Sequence, residues 1–475
     1  MSTSGDIKVL IVGAGTAGLM LALLLELCGV DYLLLEKKPA FRPPSRACVL
    51  SAVSLPLVEQ IGLLREIEDI SLSARKFRIK RQDNVDGLVG ELDASFAEQR
   101  YGYPILVMPR PALYNVLLSR IPKNKILLGK RILSMSQSDH GVLVRCADGS
   151  TFSGDVLVGA DGANSSVRQN LYRQLYAVGT TPSTTLPLPM SVPGHVSEEE
   201  NRPECAWSLM GITNPMDRNL YVELNQPYSD FVIMMTQKNK ESIWFMPTAN
   251  RRLLWSITTP IEKSGKALCD DGFKASEFGP EAIAEMCAKY QHLDCPYGGT
   301  MKDIFDKSPP HLMSKALVQE KVCDRWHGGR TVLLGNACHK FPPSAGMSDN
   351  INIVDTLALA NRLHELRSNS PQEVRAAFEL YQKEREPSAR RALQLSKQLH
   401  SFFTEQGLMA GLSRKVNLSR SLFGGWDKTN DLIHKDRPQA IFLPMVPQRG
   451  EFLRQDPKPS SIPRRSLQKA HPGDV

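Results

Sequence analysis

The sequence predicts an α/β fold, with a parallel sheet wrapped by helices, a second antiparallel sheet set into it, and helices at the C-terminal end. Three observations predict it. Residues Ile7–Lys37 read as strand, glycine turn, helix and strand. Two later apolar runs, Asp155–Gly159 and Thr331–Leu334, again run straight into glycine-bearing loops. Between these two, Cys205–Thr258 is a series of strand-length runs separated by polar and proline turns.

The first stretch, IKVLIVGAGTAGLMLALLLELCGVDYLLLEK, organises the rest. Val9–Val12 is an apolar run of strand length, followed by Gly13-Ala14-Gly15-Thr16-Ala17-Gly18. A long apolar stretch then reaches Leu27, and Gly29 stops it as a helix end. Tyr32–Leu35 forms the next strand, closed by Glu36. Each part has a physical task. Gly13 turns the chain off the strand, Gly15 lets a pyrophosphate approach the backbone, and Gly18 lets the helix pack close. The helix N-terminus offers unpaired N–H groups and a positive dipole end to phosphates. Glu36 stands where a carboxylate accepts ribose hydroxyls, which favours a free 2′-hydroxyl over a 2′-phosphate. The stretch predicts a Rossmann-like dinucleotide site; a glycine-rich turn before an ordinary core helix is the bland alternative.

Composition narrows the class. At 475 residues the chain exceeds one ordinary core. A hydrophobic content of 42% and a charged content of 23% suit a globular enzyme. The net charge of +8 is modest, and part of it sits in the tail Arg449–Lys469, so it argues only weakly for a nucleic-acid partner. The nine cysteines form no CxxC pair and no metal-ligand spacing, so we expect reduced thiols, no metal and a cytoplasmic location. No stretch reaches the roughly 18 apolar residues of a membrane span.

The remaining elements follow in order. Lys37–Pro44 is a proline-rich loop leading to Ser45-Arg46-Ala47-Cys48-Val49-Leu50. Ser51–Ile61 and Leu63–Ile67 read as helical, broken at Gly62. Arg75–Arg81 and Ile105–Met108 read as strands, and Ala112–Ile121 as a helix with proline at its start. Ile126–Leu128, Arg131–Met135, Val142–Cys146 and Thr151–Phe152 are short strands, with Asp148-Gly149 as a hairpin turn. Asp155–Gly159 leads into Ala160-Asp161-Gly162 and a helix to about Leu175. Ala177–Pro203 is rich in proline, serine and threonine and reads as a loop or lid. Cys205–Thr213, Leu220–Leu224, Phe231–Met235, Ser242–Met246 and Leu253–Thr258 are the strands of the second sheet. Lys263–Gly279 is polar, and Pro280–Tyr290 is helical. After Thr331–Leu334 come Gly335–Gly346, a helix at about Asn350–Ser368, and a long helix Pro371–His400 interrupted near Pro387. Asp456–Val475 has the composition of a disordered tail.

The loops at Gly13, Gly159 and Gly335 would all emerge at the carboxyl edge of one parallel sheet, where cofactors bind. On these motifs the chain resembles the single-component FAD-dependent monooxygenases related to para-hydroxybenzoate hydroxylase. It is most similar to their branch in fungal pathways to terpenoids, meroterpenoids and polyketides. The motifs are Gly13–Gly18 with Glu36, then Gly159-Ala160-Asp161-Gly162 with Ser165 and Arg168, then Gly335–Gly346. Arg46 and Arg110 also match family positions that contact FAD. The resemblance covers about residues 7–400.

The resemblance implies a Rossmann-like FAD-binding domain with an interleaved antiparallel-sheet substrate domain. Its boundaries are 1–176 and 326–400 for the FAD-binding part, 177–325 mainly for the substrate part with a lid near 177–203, 401–455 for a C-terminal packing segment, and 456–475 for the tail. It implies FAD as cofactor, NADPH as transient electron donor, and O₂ and a small lipophilic substrate as partners. Of its FAD contacts, Gly13, Gly15 and Gly18 cradle the phosphates, and Glu36 holds the adenosine ribose. Arg46 and Arg110 lie along the pyrophosphate and ribityl chain. Asp161 sits behind the pyrophosphate with Arg168 as its partner. Asn336 takes the place of an aspartate that binds a ribityl hydroxyl. Pro343 and Gly346 shape the loop over the flavin ring, and the following helix points its N-terminus at the ring.

The third motif departs from the family. Gly-Asp becomes Gly335-Asn336, and Gly-Gln-Gly-Ala-Asn becomes Gly346-Met347-Ser348-Asp349-Asn350. A carboxylate at Asp349 opposes an anionic reduced flavin: like charges ~4 Å apart at an effective dielectric of about 20 cost about 4 kcal/mol. Two readings stay open. One is an FAD-dependent monooxygenase hydroxylating or epoxidising a secondary metabolite. The other is a redox-silent relative catalysing cyclisation or rearrangement. No catalytic residue is identified; His339 and Asp349 are the candidates, and His339 reads first as a loop-ordering histidine. Trp207, Trp244, Phe245 and Trp255 fall on the second sheet, as core or as substrate wall. Arg75–Arg81 reads as a solvated face before an NADPH dock. Phe402–Trp426 reads as packing on the body before a peripheral membrane contact.

Overall fold

The structure is a computed structural model that describes residues 7–41, 45–82, 84–177, 206–235, 241–261, 278–318, 320–404, 431–435 and 437–452. Lys8–Val12 is buried from Val9 onward, as a strand covered on both faces must be. Asp31–Leu35 and Val156–Gly159 flank it, both parallel. Thr331–Leu333 pairs parallel with Val156–Gly159. Ile126–Leu127 and His327–Gly328 finish the two edges of this six-stranded sheet. The three glycine loops therefore leave adjacent parallel strands at the same edge.

The helix Thr16–Cys28 is buried at every residue from Thr16 to Leu25. That explains its uniformly apolar sequence, because it lies between the sheet and the helices Arg110–Leu118 and Met347–Glu365. Gly29 closes it with φ 71°.

The second sheet has nine strands, eight of them in one line. The order is Met313–Val318, Ala206–Ile212, Arg252–Pro260, Ser242–Thr248, Tyr228–Met235, Leu72–Arg81, Leu106–Pro109 and Ala47–Leu50. Asn84–Asp93 pairs with Leu72–Arg81. Neighbours are antiparallel except Tyr228–Met235 with Leu72–Arg81, which run parallel. Strands from the first third of the chain thus complete the sheet formed by its middle. Period-two alternation gives the sheet two apolar faces. Leu209, Val232, Ile243, Phe245, Trp255 and Ile257 pack under the helices Pro280–Tyr290 and Met301–Asp306. Ile212, Phe231, Met246 and Leu254 face the other way, with Trp244 bridging to the core of the parallel-sheet half.

Several local expectations change. Leu220–Leu224 is not a strand; Val222–Asn225 is a 3₁₀ turn, with Leu220 and Val222 exposed. Apolar character without a sheet neighbour does not make a strand. The helix Pro371–Thr404 runs through Pro387 without interruption. Proline inside a helix costs about 3 kcal/mol. Burial of Phe378, Tyr381, Ala389 and Ala392 on either side offsets it. Asn84–Asp93, Met301–Asp306 and Met313–Val318 are elements that periodicity alone did not mark. The loop expected at 177–203, apart from residue 177, falls outside the described residues. So do most of 263–279, most of 402–426, and all of 456–475.

Candidate active site

The first loop is built from contacts that only glycine permits. Gly13 has φ +105°, and a Cβ on Gly18 would lie 1.9 Å from the Gly13 carbonyl oxygen. Gly15, by contrast, faces open space, with nothing within 4 Å of where a Cβ would stand. It is the N-cap of Thr16–Cys28, and no side chain caps that end. Free N–H groups, open space and a helix dipole fit a pyrophosphate at this position. Glu36 reaches back over the loop. Its Oε2 accepts from the Ala14 N–H at 2.8 Å and its Oε1 from the Lys38 N–H at 2.9 Å. Glu36 therefore also holds the glycine loop in place, a role its spacing did not reveal.

The second loop centres on Asp161. Its carboxylate accepts from the Ser166 N–H at 2.7 Å and the Val167 N–H at 3.2 Å, and from the Ser165 hydroxyl at 2.5 Å. Asp161 thus satisfies the first N–H groups of Ser166–Ala177 from the loop, while Ser165, the residue before the helix, accepts from the Arg168 N–H at 2.9 Å. The expected partner, Arg168, does not pair with Asp161. Its guanidinium donates to the Ala163 and Ala337 carbonyls, each at 2.6 Å. Helical geometry points the side chain away from the capping carboxylate and across to the third loop. Arg168 thus ties the second and third motifs together.

In the third loop, Asn336 accepts from Asn352 Nδ2 at 3.3 Å and lies 3.5 Å from the Ser348 hydroxyl. Pro343–Ala345 forms a 3₁₀ turn closed by Gly346, whose φ is 61°. The helix Met347–Glu365 starts here, and its first turn joins three loops. Ser348 meets Asn336, while Asp349 pairs with Arg110. Asn350 accepts from the Ser51 N–H at 2.9 Å and the Ser54 hydroxyl at 2.7 Å, and donates to the Val49 carbonyl at 2.8 Å.

The Arg110–Asp349 pair corrects the picture of an unopposed carboxylate at the ring. The Asp349 side chain is buried, 6% exposed, and that of Arg110 is largely covered, 13% exposed. Arg110 starts the helix after Leu106–Pro109, and its N–H donates to the Arg46 carbonyl at 2.8 Å. Burial works against the Arg110 charge, but the Asp349 carboxylate outweighs it and holds the pKa above the ordinary value. Burial, then repulsion from Arg110, brings Arg46 down to about 10, still charged at neutral pH. The Nε atoms of both arginines are buried without a partner. The Cys48 thiol beside them is pushed well up by burial, then by Asp349.

His339 orders structure rather than facing a ligand. It is 1% exposed and stacks on Phe341 at 4.7 Å. Its Nε2 lies 2.5 Å from Asp355, which also accepts from Arg385 Nε at 2.8 Å. Of the four sheet aromatics, Phe245, Trp255 and Trp207 pack on the helix-covered face, and only Trp244 looks toward the parallel-sheet half. Trp255 Nε1 donates to Ser308 at 2.9 Å. In the basic strand, which lies inside the sheet, Arg75 pairs with Asp230 and Lys76 with Glu91, so both part-exposed cations are paired.

Comparison with known proteins places this geometry. The family described as FAD binding domain matches residues 6–262 and 300–396. The FAD-dependent monooxygenase penE of Penicillium thymicola is 27% identical over 375 residues, 76% of this chain and 70% of the relative. The FAD-dependent monooxygenase ausM of Emericella nidulans is 26% identical over 371 residues, 77% and 71% of the two chains. Among solved structures, Klebsiella pneumoniae HpxO complexed with FAD and uric acid aligns with a TM-score of 0.69 at 16% identity, covering 91% of this chain and 97% of that one. A salicylate hydroxylase substrate complex aligns at 0.60 and 17% identity, covering 89% and 96%. These structural likenesses carry the fold. The family match shows that the chain belongs to the FAD-binding family related to para-hydroxybenzoate hydroxylase, and with the fungal relatives it identifies the chain as an FAD-dependent monooxygenase.

Proposed function

We propose that the chain uses NADPH and O₂ to place one oxygen atom on a small lipophilic secondary metabolite such as a terpenoid, meroterpenoid or polyketide. The overall balance is substrate, NADPH, H⁺ and O₂ to oxygenated substrate, NADP⁺ and water. The observation that carries this reading is the convergence of three glycine loops at one edge of adjacent parallel strands. The open Gly15 cradle and the partnerless arginine Nε atoms fit a bound dinucleotide there. FAD, when bound, supplies the electron transfer and oxygen activation.

The chain's own residues would bind and orient. In this reading Gly13, Gly15 and Gly18 admit the pyrophosphate to the helix N-terminus, and Glu36 accepts from the ribose. Arg46 and Arg110 supply positive charge, with Asp161 holding the second loop behind the phosphates. Asn336 hydrogen-bonds the ribityl chain, and Pro343 and Gly346 set the loop over the ring. Phe231, Met246 and Leu254 are buried in the apolar cluster on the sheet face that Trp244 joins to the parallel-sheet half, and in this reading that face backs a lipophilic, water-excluding substrate site. Asp349 loses its place as an acid-base candidate because Arg110 engages its carboxylate. The redox-silent alternative loses its main motive for the same reason.

The test is direct. The purified protein should show flavin absorbance, and adding a substrate from this class should trigger matched consumption of NADPH and O₂ with a gain of one oxygen in the product. Protein that neither carries nor binds FAD would exclude the proposal. Turnover with an unchanged substrate formula would favour rearrangement instead.

A further inference from the structure

Three charged side chains from distant parts of the chain meet at the N-terminus of the helix Met347–Glu365. Arg46 and Arg110 come from neighbouring antiparallel strand ends, where Ala47 faces Pro109 in the register. Asp349 stands in the helix's first turn, 239 positions from Arg110 in sequence. A carboxylate in a first turn is usually a dipole partner or cap. Here no side-chain cap forms, and the carboxylate engages the Arg110 guanidinium instead. Arg46 forms no ion pair among the described residues, and its Nε has no partner.

We infer that Asp349 is a positioning residue that sets the charge of the cofactor cradle, neutralising Arg110 and leaving Arg46 as the cation available to the flavin. The inference rests on the reading of this cradle as the FAD site. Two guanidinium groups and one carboxylate leave a single positive charge. Without the carboxylate, two largely covered cations would stand beside each other and repel. With it, Arg110 is fixed, and the positive charge that a reduced, more negative flavin meets is halved. Asp349 therefore holds the flavin reduction potential below the value that the two arginines alone would give.

Four proteins test it: the wild type, Asp349→Asn, Arg110→Gln and the double variant. Asparagine keeps the shape of aspartate and removes its charge, so the cluster goes from one positive charge to two. Glutamine at 110 takes it to none, and the double variant restores one. The readout is the potential of bound FAD by equilibrium dye reduction, with FAD affinity measured alongside. Asp349→Asn should favour reduced over oxidised FAD by about tenfold relative to wild type, roughly 30 mV upward for a two-electron couple. Arg110→Gln should move the ratio about tenfold the other way. The double variant should return to within about threefold of wild type, which a purely structural role for the pair would not produce.

A potential that is unchanged or lower in Asp349→Asn overturns the inference. So does a double variant as displaced as either single one. If Asp349→Asn does not fold because it strands Arg110, the wild type, Arg110→Gln and the double variant still decide. Removing both partners of a buried pair is tolerated better than removing one. A wild type without FAD would remove the cradle reading beneath the inference. An FAD-loaded wild type with potentials that ignore the charges would remove the inference alone.

Discussion

Gly18 shows how a single backbone contact can carry a site. A Cβ there would meet the Gly13 carbonyl oxygen at 1.9 Å, and that atom belongs to backbone that cannot swing aside. Gly18→Ala should therefore push the helix Thr16–Cys28 off the first loop. We expect a stability loss of about 1–3 kcal/mol, as for other overpacked cores, and FAD binding weakened by at least about tenfold, which equals about 1.4 kcal/mol. Denaturant unfolding and flavin fluorescence titration measure the two; alanine tolerated in both would mean that the loop has slack. This much was legible in the sequence, because a glycine at that spacing has a defined packing task. The partners of charged residues were not. Arg168 looked like a partner for Asp161, yet it donates to the Ala163 and Ala337 carbonyls. Asp349 looked like a charge facing the flavin, yet Arg110 engages it. Long side chains choose among neighbours that only the folded chain brings near, and spacing cannot rank those neighbours.

Elements are fixed to one another by buried polar ties at particular points. Asp355, in Met347–Glu365, joins His339 of the third loop to Arg385 of Pro371–Thr404, and its side chain is 0% exposed. Burial alone would raise its pKa, but His339 and Arg385 outweigh that and hold it below the usual carboxylate value. A carboxylate depressed in the folded state adds stability above its unfolded pKa, about 3.9. That stability is lost as pH falls through the folded value. Asp355→Asn leaves the Arg385 charge unpaired in the core and should cost about 3–5 kcal/mol at neutral pH. It should also flatten the acid limb below about pH 4, since this group no longer takes up a proton on unfolding. Unfolding midpoints from pH 2 to 7 for both proteins check the two effects together. An unchanged acid limb would place the responsible carboxylates elsewhere. The sequence marked the helices and strands that such ties connect wherever apolar runs ended in glycine. It missed Asn84–Asp93, whose run is broken by acids and glycines and which forms by pairing with the basic strand through Lys76, Arg78 and Glu91.

At the scale of the whole molecule, the described residues 431–435 and 437–452 act as a strap across the parallel-sheet half, beyond residue 396 where the family match ends. Its hold is polar and buried. Asp431 pairs with Arg100 and accepts from the Tyr101 hydroxyl at 2.9 Å, and His434 stacks on the Tyr101 ring at 4.0 Å. The Gln60 side chain accepts from the Ala440 N–H at 2.7 Å and donates back to the Ala440 carbonyl at 2.9 Å, as a neighbouring strand would. Asn361 does the same across Gln439 and Ile441, at 3.1 Å each. Arg437 is 4% exposed and donates to the Tyr101 carbonyl at 2.8 Å and the Phe452 carbonyl at 2.7 Å. These contacts reach the helix Leu55–Gln60 directly after the Ser51 and Ser54 turn that Asn350 holds. The strap therefore braces the same region that positions Arg46 and the helix at Met347. Arg437→Met keeps most of the side-chain volume and removes the donors, leaving two carbonyls without their charged partner. Stranded acceptors cost about 1–3 kcal/mol each, so for the two carbonyls we expect an unfolding loss of about 2–6 kcal/mol. FAD affinity should fall with it, by less than in Gly18→Ala, because the strap acts on the cradle through a helix and a turn. An unfolding midpoint that does not move would show that the strap rests on a body already stable without it. A large stability loss with FAD affinity intact would separate the strap from the cradle.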